Sequence, residues 1–193
     1  MVCVKADAYG DGLIPVRKRL SASGGDCLGV ASIDEGISLR VAGIKLPILI
    51  LGLILKKDIP PLFKYKLSIT VCDKEFARAL NYKAKVLGEP ANVHIKVDTG
   101  MGRLGLLPGQ VAPFFQELKE LSNLEVEGIL SHFSEADEED KRFSKEQLGI
   151  FLNIIRIKAL IFNIIFSLIF FKVFDFYLFI SLFFFCLCLI IKT

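Results

Sequence analysis

Six short apolar runs, each followed by a helical pattern, constrain this chain more than any other feature. They are residues 2–5 (VCVK), 27–32 (CLGVAS), 47–52 (PILILG), 68–73 (SITVCD), 92–98 (NVHIKVD) and 125–133 (EVEGILSHF). Each is nearly continuous in apolar residues, as expected of strands covered on both faces of a parallel sheet. Helical patterns lie between them. Residues 34–42 stop at Gly43, and residues 73–87 open on an Asp cap and stop at Gly88. Residues 109–122 place Phe114, Leu118 and Leu121 at helical spacing, and 140–156 do the same with Phe143, Leu148, Phe151 and Ile155. Residues 13–23 are expected to be helical, and any helix in 56–66 is expected to start after Pro60-Pro61.

Six consecutive β-then-α units with short connections are the pattern of a (β/α) barrel. A closed barrel needs eight units and runs to about 250 residues, whereas this chain has 193. The expected class is therefore α/β, a partial (β/α)8 TIM-type barrel of about six units, cut at both ends. Its composition splits into two parts. Residues 150–193 contain no Gly, Pro, Glu, Gln, His, Met or Trp, and between Ala159 and Ile191 the charges are Lys172 and Asp175. The uncharged runs 159–171 and 176–191 fall short of the ~18–20 residues that cross a bilayer. Phe, Ile, Leu, Lys, Asn and Tyr have A/T-rich codons, so the tail reads as non-native or out-of-frame. The expected division is a barrel over 1–156 and a tail over 157–193.

Charge and cysteine content narrow the class further. A net charge of +3 gives no case for a nucleic-acid partner, and no basic block stands out. Among five cysteines, Cys3, Cys27 and Cys72 lie in apolar runs, which suits buried thiols in a cytoplasmic protein. Cys186 and Cys188 have no His or Cys near them in sequence beyond each other, so no metal site is expected. Lys5, Asp7 and Asp11 interrupt any signal-like N-terminal stretch.

In a barrel, chemistry collects where strands end and helices begin. Lys5 ends the first run and enters Ala6-Asp7-Ala8-Tyr9-Gly10-Asp11-Gly12. A lysine on a rigid, partly desolvated strand end can lose its proton and form a Schiff base with a carbonyl. Lys96, Asp98 and Arg103 follow the fifth run, where three glycines between 100 and 105 allow a tight turn or close approach to a ligand. Arg103 offers planar, bidentate hydrogen bonds to an oxyanion. His132 closes the sixth run and can stack on a ring. His94, mid-strand between Val93 and Ile95, reads as packing. Glu135 to Asp140 reads as a solvated loop and the start of the next helix.

The segments Val4-Lys5-Ala6-Asp7-Ala8-Tyr9-Gly10, Asp98-Thr99-Gly100-Met101-Gly102-Arg103-Leu104-Gly105 and Ser131-His132-Phe133 with Ala136-Asp137-Glu138 closely resemble alanine racemase. Order and spacing match over about residues 2–155. The resemblance implies a fold-type III pyridoxal 5'-phosphate barrel followed by a β-rich C-terminal domain that is absent here. It implies Lys5 as the Schiff-base lysine and one catalytic base, with Tyr9 on the cofactor phosphate. Arg103 would serve the cofactor's phenolic oxygen and the substrate carboxylate, and His132 would pack on the pyridine ring. Lys96 matches a lysine that is carbamylated in some members. The substrate implied is alanine, interconverted between L and D forms for peptidoglycan. The whole enzyme would be a cytoplasmic homodimer, with a tyrosine from the partner's C-terminal domain as the opposite base. Asp11 departs from the family's usual histidine, and the later Asn-Ser segment and the arginine facing the pyridine nitrogen are missing. The fragment alone is therefore expected to be inactive. The alternatives are a barrel of related specificity, such as a serine racemase or decarboxylase-like protein, and a non-catalytic cofactor-binding protein.

Overall fold

The computed structural model describes residues 1–10, 12, 27–162 and 188–192. The helix expected over 13–23 lies outside the described residues. Six strands run parallel in chain order: β1 (Val2–Cys3), β2 (Leu28–Val30), β3 (Ile48–Ile50), β4 (Ser68–Val71), β5 (Ala91–Lys96) and β6 (Leu124–His132). A further strand, β7 (Cys188–Lys192), pairs antiparallel with β6. Between the parallel strands lie α1 (Lys5–Tyr9), α2 (Ile33–Val41), α3 (Pro60–Lys64), α4 (Lys74–Leu87) and α5 (Pro108–Leu118), and α6 (Arg142–Phe162) follows β6. Each run of the sequence reading overlaps a strand, although β1 ends at Cys3 and Lys5, read as the strand tip, opens α1. The fold is α/β, with sequential parallel strands as in part of a (β/α) barrel.

Register sorts the strand residues into two unlike faces, because partners in a parallel ladder share a face and neighbours along a strand alternate. Val2 pairs with Leu28, Leu28 with Ile48, Ile50 with Ile69, Ile69 with Val93 and Ile95 with Ile129. With Val4, Val30 and Val71 they form an apolar face. That face merges into one buried cluster with Leu39, Leu80, Val111, Phe114, Phe115 and Phe151 from the helices. The other face begins Cys3, Gly29, Leu49, Ser68 and continues through Thr70, His94 and Lys96 to Leu130. On β4 and β5 this inner face is polar, so the continuous apolar runs overstate how dry it is.

A bulge sharpens that point. The β5–β6 register shifts between Val93 and His94, where Glu127 is the extra residue on β6. Its carboxylate accepts from Ser68 Oγ and Asn92 Nδ2, both at 2.8 Å, and lies 3.5 Å from His94 Nε2. His94 is buried as expected, within a polar cluster that a packing role did not foresee.

Local signals explain most helix ends. Asp73 caps α4 by accepting from Phe76 N at 2.7 Å, and Gly88 closes it in the left-handed region at φ 66°. Helix α3 starts at Pro60 itself rather than after the proline pair. A proline in the first turn loses no hydrogen bond, because that N–H has no helical partner. Cys3 is buried, whereas Cys27 and Cys72 are only half-buried. Among the described residues no helix is long and apolar enough to cross a membrane.

Arg40, near the end of α2, ties this unit to the next. Its guanidinium donates to Tyr65 O, Ile44 O, Leu46 O and Lys66 O at 2.7–2.9 Å. Burial lowers its pKa, but an arginine stays charged at any physiological pH. Arg40→Ala leaves four carbonyls short of a charged donor and should lower stability by about 2–3 kcal/mol. Urea unfolding checks this, and Arg40→Lys, lacking the planar fork, should restore less than half of the loss.

Candidate active site

The segment after β1 folds into a shape rare for L-residues. Ala6, Asp7, Ala8 and Tyr9 all have positive φ, from 53° to 58°, so α1 is a left-handed turn. Each such residue costs roughly 1–2 kcal/mol, because Cβ approaches the following carbonyl oxygen. The turn is held by Ala8 N to Val4 O at 3.0 Å, and by Gly10 N and Gly12 N to Asp7 O at 3.2 and 2.9 Å. It folds Tyr9 back so that its hydroxyl lies 3.8 Å from Cys3 Sγ, and Lys5 Nζ sits 5.7 Å from the Tyr9 ring centroid. Cys3 lies on the inner face, so Lys5 and Tyr9 form one unit at its rim.

Lys96 and His132 reach the same face by register. Lys96 ends β5 opposite Leu130, and His132 lies two residues beyond Leu130 at the end of β6. Lys96 is buried and its Nζ donates to Leu51 O at 3.3 Å. Cys72 is near it, its thiol pushed up in pKa by burial against the opposing pull of the Lys96 charge and the Gly105 amide. The thiol therefore stays protonated near neutral pH and does not neutralise Lys96. His132 is half-buried.

Arg103 arrives on a loop built around Asp98. Asp98 Oδ1 accepts from Gly100 N at 2.9 Å and Gly102 N at 3.1 Å, and Oδ2 accepts from Arg103 N at 2.8 Å. The loop closes through Asp98 N to Leu106 O and Leu106 N to Lys96 O, both 2.9 Å. A Cβ on Gly105, at φ 136°, would lie 2.5 Å from Asp98 N, and one on Gly100 would lie 2.8 Å from Phe143 Cζ. The glycines thus serve the loop's own closure and the approach of α6. The Arg103 side chain is exposed on this loop.

Two residues that hold the rim were not singled out from sequence. Gln147 of α6 is buried. It donates through Nε2 to Thr99 Oγ1 at 3.3 Å and His132 O at 3.2 Å, and accepts through Oε1 from Ser134 N at 3.1 Å. Thr99 in turn shares a hydrogen bond with Ser131 Oγ at 2.8 Å. Glu35 of α2 accepts from Ala6 N at 2.8 Å. Its sequence signal was Ser32-Ile33-Asp34-Glu35, a capping box at the start of α2.

The rim is thus a set of cationic or protonatable side chains, Lys5, Lys96, Arg103 and His132, while Asp98 and Glu35 accept from backbone amides. Such a rim suits an anionic ligand. Residues 1–166 match the family described as "Alanine racemase, N-terminal domain". The chain belongs to the alanine racemase family. It is 45% identical over 155 residues to an alanine racemase of Halothermothrix orenii, covering 80% of this chain and 41% of that protein. A solved alanine racemase of Clostridium difficile 630 superposes with a TM-score of 0.74 at 40% identity, covering 80% of this chain and 41% of that one. A histidine racemase of Leuconostoc mesenteroides has the same TM-score at 25% identity, covering 78% and 41%. The chain therefore spans about two-fifths of the length of these relatives, which are named as isomerases of amino acids.

Burial opposes ionisation of Asp98, but the amides of Gly100, Gly102, Arg103 and Met101 outweigh it and hold its pKa below the usual carboxylate value. A depressed native pKa gives stability that is full above about pH 4, the unfolded value, and lost as pH falls through the native one. Asp98→Asn should remove that contribution and flatten the acid limb of melting temperature against pH. Gln147→Leu takes from Ser134 N its acceptor and from His132 O its Gln147 donor, and should cost about 2–3 kcal/mol in urea unfolding.

Proposed function

We propose that the chain forms the cofactor-binding barrel portion, about residues 1–156, of a pyridoxal 5'-phosphate-dependent alanine racemase. The observation that carries this reading is Lys5 and Tyr9 stacked at the rim of the face that Lys96 and His132 share. The donor set fits the group: an amine for its aldehyde, a phenol for its phosphate, an imidazole for its ring and an arginine for anionic oxygens. When bound, pyridoxal phosphate supplies an electron sink that acidifies the Cα–H of an amino acid.

Lys5 would hold the cofactor's aldehyde through its amine and, with the group bound, would move a proton at the substrate Cα from one face. Tyr9 would donate to the cofactor's phosphate, and His132, whose carbonyl accepts from Gln147, would pack against the cofactor's ring. Arg103 binds the substrate carboxylate from a loop that Asp98 fixes. Lys96 adds positive charge beneath the site, and carbamylation would turn it into an acceptor for Arg103. Racemisation also needs a proton transfer at the opposite face, which the resemblance assigns to a tyrosine of the C-terminal domain of a partner subunit. On this reading the chain by itself binds cofactor without racemising alanine, and the whole protein works as a dimer supplying D-alanine for peptidoglycan in the cytoplasm. The histidine racemase likeness favours a second reading, in which the same rim serves another amino acid.

Incubation with pyridoxal phosphate, borohydride reduction and peptide mass analysis should place the label on Lys5, and Lys5→Ala should abolish it. Labelling elsewhere, or none from folded protein, overturns the assignment.

A further inference from the structure

We propose that Glu35 is a positioning residue for Lys5, holding the left-handed turn from a neighbouring β/α unit. This rests on the reading of Lys5 as the lysine that carries the cofactor. The turn has four successive non-glycine residues at positive φ, a conformation that side chains oppose, so it persists only where surroundings fix it. Its internal bonds engage the amides of Ala8, Gly10 and Gly12. The amide of Ala6, directly after Lys5, instead crosses to Glu35 Oε1 at 2.8 Å, 29 residues away in sequence.

The acceptor is itself anchored. Glu35 Oε2 accepts from Ala31 N at 2.7 Å and Ser32 N at 3.4 Å, while Ser32 Oγ accepts from Glu35 N at 3.3 Å. Both carboxylate oxygens therefore face N–H groups: one belongs to the Lys5 turn, the other to the β2–α2 connection. Glutamine has one oxygen and would set its NH2 against one of these donors. Ser32→Ala separates the two roles, because it weakens the helix cap and leaves the Glu35–Ala6 bond in place.

The test uses the full chain and the variants Glu35→Gln, Glu35→Ala and Ser32→Ala. Three quantities are read: amide hydrogen exchange over residues 6–10, the rate at which pyridoxal phosphate becomes reducible onto Lys5, and the melting temperature. Glu35→Gln and Glu35→Ala should raise exchange at Ala6 and slow loading of Lys5, each by about fivefold or more, one lost hydrogen bond's worth. Ser32→Ala should lower the melting temperature while leaving exchange at Ala6 and loading near wild type. Wild-type exchange at Ala6 and wild-type loading in Glu35→Gln would overturn the proposal and leave Glu35 a helix cap. Equal losses of loading in Ser32→Ala and Glu35→Gln would overturn it too. If the wild type takes up no cofactor, the functional reading fails by itself, and exchange at Ala6 still decides whether Glu35 holds the turn.

Discussion

Parallel pairing in register is the constraint on which the rest of this molecule depends. Once Cys3 pairs with Gly29 and Gly29 with Leu49, alternation along each strand commits Val2, Val30 and Ile50 to the helix-covered face. A slip of one residue would turn Ile69 and Val93 inward and bring His94 and Lys96 against the helices, exchanging an apolar face for a charged one. The same arithmetic brings Lys96 and His132 to one face from strands that are separate in sequence. The energetic demand for a dry outer face therefore also fixes the chemistry of the inner one.

Strands place residues only to their last hydrogen bond; beyond it, the rim loops are set by polar anchors. Asp98 gathers three amides of its own loop, Gln147 joins α6 to both the β5 and β6 ends, and Glu35 spans from α2 to the turn after Lys5. Each anchor directs its acceptors at backbone N–H groups, and those met by Asp98 and Gln147 are part-buried, where an unpaired donor is costly. This division of labour leaves the positive groups of the rim, and not these carboxylates, to meet a ligand. The left-handed turn is held both by its own hydrogen bonds and by the Glu35 contact from outside it, an arrangement common where backbone strain accompanies function.

Much of the fold could be read from the chain because its signals are local. Six apolar runs became six parallel strands, and the Asp73 cap and Gly88 stop bounded a helix as read. The start of α3 at Pro60 and the half-exposure of Cys27 and Cys72 differ from the reading, since neither a proline's place in a first turn nor the depth of a strand end is written in residue type. His94 was legible as buried but not as Glu127's neighbour, because the bulge that turns Glu127 inward leaves no mark in the pattern.

The sequence alone determined which residues end up at strand ends and with what chemistry: an amine at Lys5, a glycine-rich loop carrying Arg103, an imidazole at His132. These follow from periodicity and residue type over short stretches, where local physics suffices. Only the tertiary structure decided how those groups are held: that the Lys5 turn is left-handed and answers to Glu35, and that Gln147 bonds Thr99 from 48 residues away. Such bonds join partners with no shared local pattern, so they come into being only when the sheet has brought its ends together.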